Sequence, residues 1–82
     1  MTIDHQGAVP KYLQLVRIIR KRIESGEIPA GRAIPSEVEL EQEFDLSRGT
    51  VRAAIRRLRE DGVIFTVHGK GSFAGPAPED DD

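Results

Sequence analysis

Apolar positions recur along this chain first at helical spacing and then, near residue 63, as a short unbroken run. Tyr12, Val16, Ile19 and Ile23 follow one another at steps of four, three and four residues, which is one face of an α-helix. Leu13, Leu15 and Ile18 widen that face. Pro10 suits the start of this helix and Gly26, after Ser25, its stop. A turn-rich connector follows around Pro29, Gly31 and Pro35, with room for a short edge strand at Arg32 to Ile34. Ser36 with Glu39 three positions on forms a capping box, so a second helix is expected to about Phe44, burying Leu40 and Phe44. Ser47 caps a third. On that helix Val51, Ala54, Ile55 and Leu58 share one arc, and Asp61-Gly62 ends it. Val63 to Val67 is β-branched and aromatic and reads as a strand, His68 to Gly71 as a Gly-rich hairpin turn, and Ser72 to Ala74 as a second strand.

The expected architecture is therefore α+β and mainly helical, with three helices and a C-terminal β-hairpin, on residues 10–75. Residues 1–9 lack periodicity and read as a flexible N-terminal arm. Residues 76–82 read as an acidic, disordered tail.

Composition bounds this picture. The 82 residues are 38% hydrophobic and only 5% aromatic, enough for one small domain with an aliphatic core. There is no cysteine, which excludes disulfides and thiolate metal sites and fits a cytoplasmic location. The N-terminus lacks an apolar signal region and no run of 18 apolar residues occurs, so neither secretion nor a membrane partner is expected.

Charge changes the picture more. The net charge is -2, but Glu79 to Asp82 carry four of the 14 acids; without them 12 basic residues face 10 acidic ones. From Leu46 to Phe73, six basic residues (Arg48, Arg52, Arg56, Arg57, Arg59, Lys70) face Glu60 and Asp61 alone. Ser36 to Asp45 holds five acids and no base. At about 100° per residue, Arg48, Arg52 and Arg59 lie close together on the flank of the third helix's apolar arc, with Arg56 about 40° further round. Arg57 points elsewhere.

Two short helices joined by a tight turn, the second rich in arginine, form a helix-turn-helix pattern. A helix fits the DNA major groove, and residues near its N-terminus reach base edges. Ser47 and Thr50 offer hydroxyls, Gly49 allows close backbone approach, and Arg48 and Arg52 offer bidentate donors. The following hairpin, with Lys70 at its tip, has the form of a wing beside the adjacent minor groove. Plainer readings stand beside these: a solvated charged face for the arginines and an ordinary hairpin for His68 to Gly71.

The run from Tyr12 to Ala74 resembles the winged helix-turn-helix domain of the GntR family of bacterial transcription regulators. The resemblance rests on Ile23 to Gly26, on "G-x-x-I-P-S-E" at Gly31 to Glu37, on "L-S-R-G-T-V-R" at Leu46 to Arg52, on "L-x-x-D-G" at Leu58 to Gly62, and on "H-G-K-G-S-F" at His68 to Phe73. It implies operator binding by a dimer, with helix three in the major groove. Ser47, Arg48, Gly49, Thr50 and Arg52 match the family's DNA-contacting helix start, His68, Gly69 and Lys70 its wing tip, and Ser36 the cap of helix two beside a phosphate. Arg56 is added as a backbone contact. The chain departs from the family at Val38, where an arginine is usual. Family members also continue into a metabolite-binding, dimerising domain, whereas this chain stops at Asp82 with no effector domain. It is then either a fragment or a stand-alone module.

The expectation is a sequence-specific DNA-binding transcriptional regulator, a repressor, reading a pseudo-palindromic operator in double-stranded DNA as a weak homodimer or a dimer formed on DNA. The alternative, motivated by the acids of helix two, by Val38 and by the acidic tail, is a winged-helix protein-interaction module without specific DNA binding. Glu79 to Asp82 serve either as a solubility tail or as a competitor for the arginine face. No enzyme, cofactor or metal is expected. "GKGS" at Gly69 to Ser72 lacks the P-loop's first glycine, with Ile64 there, and its Ser or Thr after the lysine, with Gly71 there. His5 and His68 make no zinc-ligand spacing.

Overall fold

The computed structural model describes residues 2–78; the proposed roles of Glu79 to Asp82 fall outside them. Three helices come first, α1 (Lys11–Glu24), α2 (Glu37–Phe44) and α3 (Arg48–Glu60), and then a hairpin of β1 (Ile64–Val67) and β2 (Gly71–Ala74). The three-helix fold with a hairpin wing expected from the sequence is the fold observed.

Local chemistry sets the helix ends. The Ser36 hydroxyl accepts from the Glu39 N–H at 3.1 Å, and the Glu39 carboxylate accepts from the Ser36 N–H at 2.9 Å, which completes the capping box. The Ser36 N–H, joined by its hydroxyl, holds the Glu39 carboxyl below the usual carboxylate value. Helix α2 stops at Asp45, which takes a left-handed φ of 54°. Ser47 then caps α3 by accepting from the Thr50 N–H at 3.2 Å. At the far end of α3, the Gly62 N–H reaches the Arg59 carbonyl at 3.1 Å and the Val63 N–H reaches the Leu58 carbonyl at 3.0 Å. Gly62 sits at φ 74°. This is a Schellman stop, with Val63 packed against the core beside buried Leu58.

The core is aliphatic. Leu15, Val16, Ile18 and Ile19 of α1, Leu40 and Phe44 of α2, Val51, Ala54, Ile55 and Leu58 of α3, and Ile64 and Ala74 of the hairpin form one buried cluster. No polar or charged residue is buried among the described residues. Helix α3 packs against α1, α2 and β1, so it is the element on which the others meet.

The strands pair antiparallel in the register Ile64 to Ala74, Phe65 to Phe73, Thr66 to Ser72 and Val67 to Gly71. Alternation puts Ile64 and Ala74 on the core side and the stacked Phe65 and Phe73 rings, 5.6 Å apart, on the other face. The edge strand expected at Arg32 to Ile34 shrinks to a single bridge between Ala33 and Phe73. The Ile34 N–H still donates to Ser72 at 3.0 Å and the Ala74 N–H to Arg32 at 2.8 Å, so β2 is hydrogen-bonded on both edges. Pro35, which has no N–H, cannot extend that pairing.

Residues 2–10 lead into α1 and touch it. The Gln14 side chain accepts from the Asp4 N–H at 2.7 Å and donates to the carbonyls of Asp4 and Val9 at 2.9 and 2.8 Å. Ile3 packs against the core.

A Cβ at Gly62 would meet no atom within 4 Å, so its substitution tests backbone conformation alone. Gly62→Ala is expected to lower stability by about 1 kcal/mol in urea unfolding.

Candidate nucleic-acid interface

Burying the Val51, Ala54, Ile55 and Leu58 stripe turns the arginine flank of α3 outward. Arg48, Arg52 and Arg56 are all exposed. Among the described residues Arg48 and Arg56 form no ion pair, whereas Arg57 pairs with Asp61 at 3.1 Å, and Asp61 also holds Arg20 of α1 at 2.8 Å. Arg57, which faces away from the flank, is thus tied into the scaffold.

The first turn of α3 is organised by hydroxyls. The Ser47 hydroxyl donates to Thr50 Oγ1 at 2.9 Å while accepting from the Thr50 N–H. Between them Arg48 and Gly49 are exposed. Gly49 has helical backbone and open space where a Cβ would stand, so neither φ nor crowding demands glycine there.

Two shallow concavities run beside this helix. One, about 190 Å³, is lined by Glu37, Arg52, Ile55, Arg56 and Arg59. The other, about 400 Å³, lies between the start of α2 and the hairpin, with Ser36, Glu37, Ile55, Thr66 and Lys70 in its lining. Glu37 and Ile55 border both, so the two lie side by side as a trough-like strip between the α3 flank and the wing. Of the residues singled out in the sequence, Ser36, Arg52, Arg56 and Lys70 line this trough. Ser47, Arg48, Gly49 and Thr50 lie at the N-terminal end of α3, outside it. His68 and Gly69 occupy the turn beyond β1, which the Lys70 N–H closes on the Val67 carbonyl at 3.0 Å, with Gly69 at φ 79°.

Four further residues belong to this surface: Arg59, Thr66, Ser72 and Glu37. Arg59 donates to Thr66 Oγ1 at 3.3 Å, and Thr66 Oγ1 lies 3.0 Å from the Ser72 hydroxyl, which links α3 to both strands of the wing. Glu37 accepts from Arg52 Nε at 3.1 Å. Neither contact has a local sequence signature: the first spans the stop of a helix and the second joins two helices 15 positions apart.

The remaining acids of α2 are partly accounted for. Glu43 bonds to Arg22 of α1, which stacks 5.4 Å from the Phe44 ring and keeps its proton more tightly because of that bond. Glu39 is folded back on the cap. Val38, at the position where the resemblance expects arginine, is 58% exposed and apolar. No cluster of potential metal ligands occurs among the described residues, and no helix there is long and apolar enough to cross a membrane.

Gly49→Ala is expected to raise stability by about 0.5 kcal/mol, the helix-propensity gain, in thermal or urea unfolding.

Comparison with known proteins agrees with this architecture. The chain is 34% identical over 73 residues to the HTH-type transcriptional repressor NagR of Bacillus subtilis, covering 89% of this chain and 30% of that protein. It is 40% identical over 76 residues to the arabinose metabolism transcriptional repressor of Geobacillus stearothermophilus, covering 92% of this chain and 21% of that protein. It therefore spans under a third of the length of these curated relatives. Among solved structures, the AraR DNA-binding domain crystallised with operator ORR3 superposes with a TM-score of 0.81 at 36% identity, covering 92% of this chain and 90% of that one. The sequence model described as "Bacterial regulatory proteins, gntR family" matches residues 11–73, and on that match the chain belongs to the gntR family of bacterial regulatory proteins.

Proposed function

We propose that this chain is the sequence-specific DNA-binding part of a bacterial transcriptional repressor, with the N-terminal half of α3 in the major groove and the hairpin at the neighbouring minor groove or backbone. The observation that carries this reading is the exposed flank of α3: Arg48, Arg52 and Arg56 stand beside a trough that ends at Lys70 on the wing. Long guanidinium side chains near a helix N-terminus suit bidentate contacts with guanine O6 and N7. The likeness to a domain solved on its operator supports the same orientation.

Roles follow from position. Arg48, Thr50 and Arg52 read bases. Gly49 lets the helix backbone approach the duplex. Ser36 and Ser47, at helix starts, bind phosphate together with Arg56, and His68, Gly69 and Lys70 track the minor groove or backbone. The function is binding, with no catalytic step, and is exerted in the cytoplasm on the chromosome. Two copies on a pseudo-palindromic site would gain affinity by linkage.

Selecting bound sequences from a random DNA pool, followed by a salt series on selected and scrambled duplexes, tests the proposal. About six phosphate contacts give a slope near -5 for log K against log salt. Arg48→Ala is expected to cost about 1–3 kcal/mol on the selected site and to relax preference at one base pair. Lys70→Ala should weaken all duplexes alike. Gly49→Ala should bind more weakly although it folds more stably. A flat salt response with no enriched sequence overturns the proposal and favours a protein partner for this face.

A further inference from the structure

Glu37 is an acid in the middle of a basic surface. It is the lone carboxylate lining the concavity that Arg52, Arg56 and Arg59 share. Its carboxylate accepts from Arg52 through Nε alone, at 3.1 Å, and both terminal nitrogens of that guanidinium have no partner among the described residues. The side chains are 58% and 43% exposed for Arg52 and Glu37, too open for the pair to matter much to folding. Its backbone is nevertheless placed by local bonding, because Glu37 is the first residue of α2, directly after the Ser36 cap that the capping box holds.

We infer that Glu37 is a positioning and specificity-determining residue for DNA reading: it holds Arg52 by Nε so that the terminal guanidinium edge faces the duplex. The inference rests on the DNA-binding reading of α3. A guanidinium has five N–H donors in a fixed plane. With Nε engaged, the pair of parallel N–H groups left for guanine O6 and N7 lies on the terminal edge. The arginine then meets the groove already oriented, which cuts the ordering cost of a specific contact. The same carboxylate repels phosphates and so weakens binding to any duplex, whatever its sequence. The oriented base contact raises the ratio of specific to non-specific binding, while the repulsion lowers the affinity that every duplex shares.

The test measures binding of wild type, E37A, E37Q, R52A and the E37A/R52A double variant. The probes are a site selected from a random pool, the same site with each base pair substituted in turn, and a scrambled duplex. Preference lost in R52A identifies the base pair that Arg52 reads. At that pair, E37A is expected to lose discrimination about fivefold or more, while binding scrambled DNA about two- to fivefold more tightly. E37Q keeps an oxygen that accepts from Nε but not the charge, so it should retain most of the discrimination and share the tighter scrambled binding. In the R52A background, E37A should remove no further discrimination. Unchanged discrimination in E37A, or an equal loss with and without Arg52, overturns the inference while leaving the DNA-binding reading in place. Wild type bound without preference overturns both. If thermal unfolding shows that E37A does not fold, E37Q decides alone: scrambled binding equal to wild type overturns the inference.

Discussion

Everything in this structure depends on the burial of one stripe of α3. Val51, Ala54 and Leu58 are fully buried and Ile55 nearly so, and the stripe is in contact with both other helices and the first strand. A helix is a rigid rod, so anchoring one arc fixes the direction of every other side chain on it. Arg48, Arg52 and Arg56 occupy the flank of that arc and are turned outward by it, Arg52 with its pair to Glu37 and Arg48 and Arg56 with no ion pair among the described residues. The driving force is non-directional, but the helix geometry converts it into a direction.

Ion pairing then sorts the arginines. Arg20 and Arg57 share Asp61, and Arg22 pairs with Glu43 and Glu27. Arg48 and Arg56 are left without an ion pair among the described residues. Exposed pairs of this kind contribute roughly 0–1 kcal/mol each, so their effect on stability is slight. Their effect on the surface is larger. They neutralise charge at the α1–α2 and α1–α3 contacts and leave Arg48 and Arg56 as unpartnered positive charge on the α3 flank, in a chain whose net charge is -2. Arg52 stands between the two groups, paired through one nitrogen and open at the others.

The hairpin is held by similar means. Its core side is anchored by Ile64 and Ala74, and β2 gains a second row of hydrogen bonds from the connector between α1 and α2. Arg59, Thr66 and Ser72 add a polar link from α3 to the strands. A two-stranded hairpin alone is marginal in water. These contacts on both sides set the position of Lys70 relative to the flank of α3.

The sequence by itself determined the helices, their caps and the hairpin turn, because each depends on neighbours within a few residues. Ser36 with Glu39, Ser47 with Thr50, and Gly62 after Asp61 act over three or four positions. The apolar period likewise told which face of α3 is buried, and hence where its arginines point. Family resemblance carried the assignment of Arg48, Arg52 and the wing tip further than spacing did. Tertiary structure alone decided the rest: that the connector pairs with β2 through Ala33, that Glu37 reaches Arg52 across two helices, and that Arg59 reaches the wing. Such contacts join residues brought together only when helices cross and strands settle in register. No period or motif along the chain encodes the distance between two side chains on separate elements.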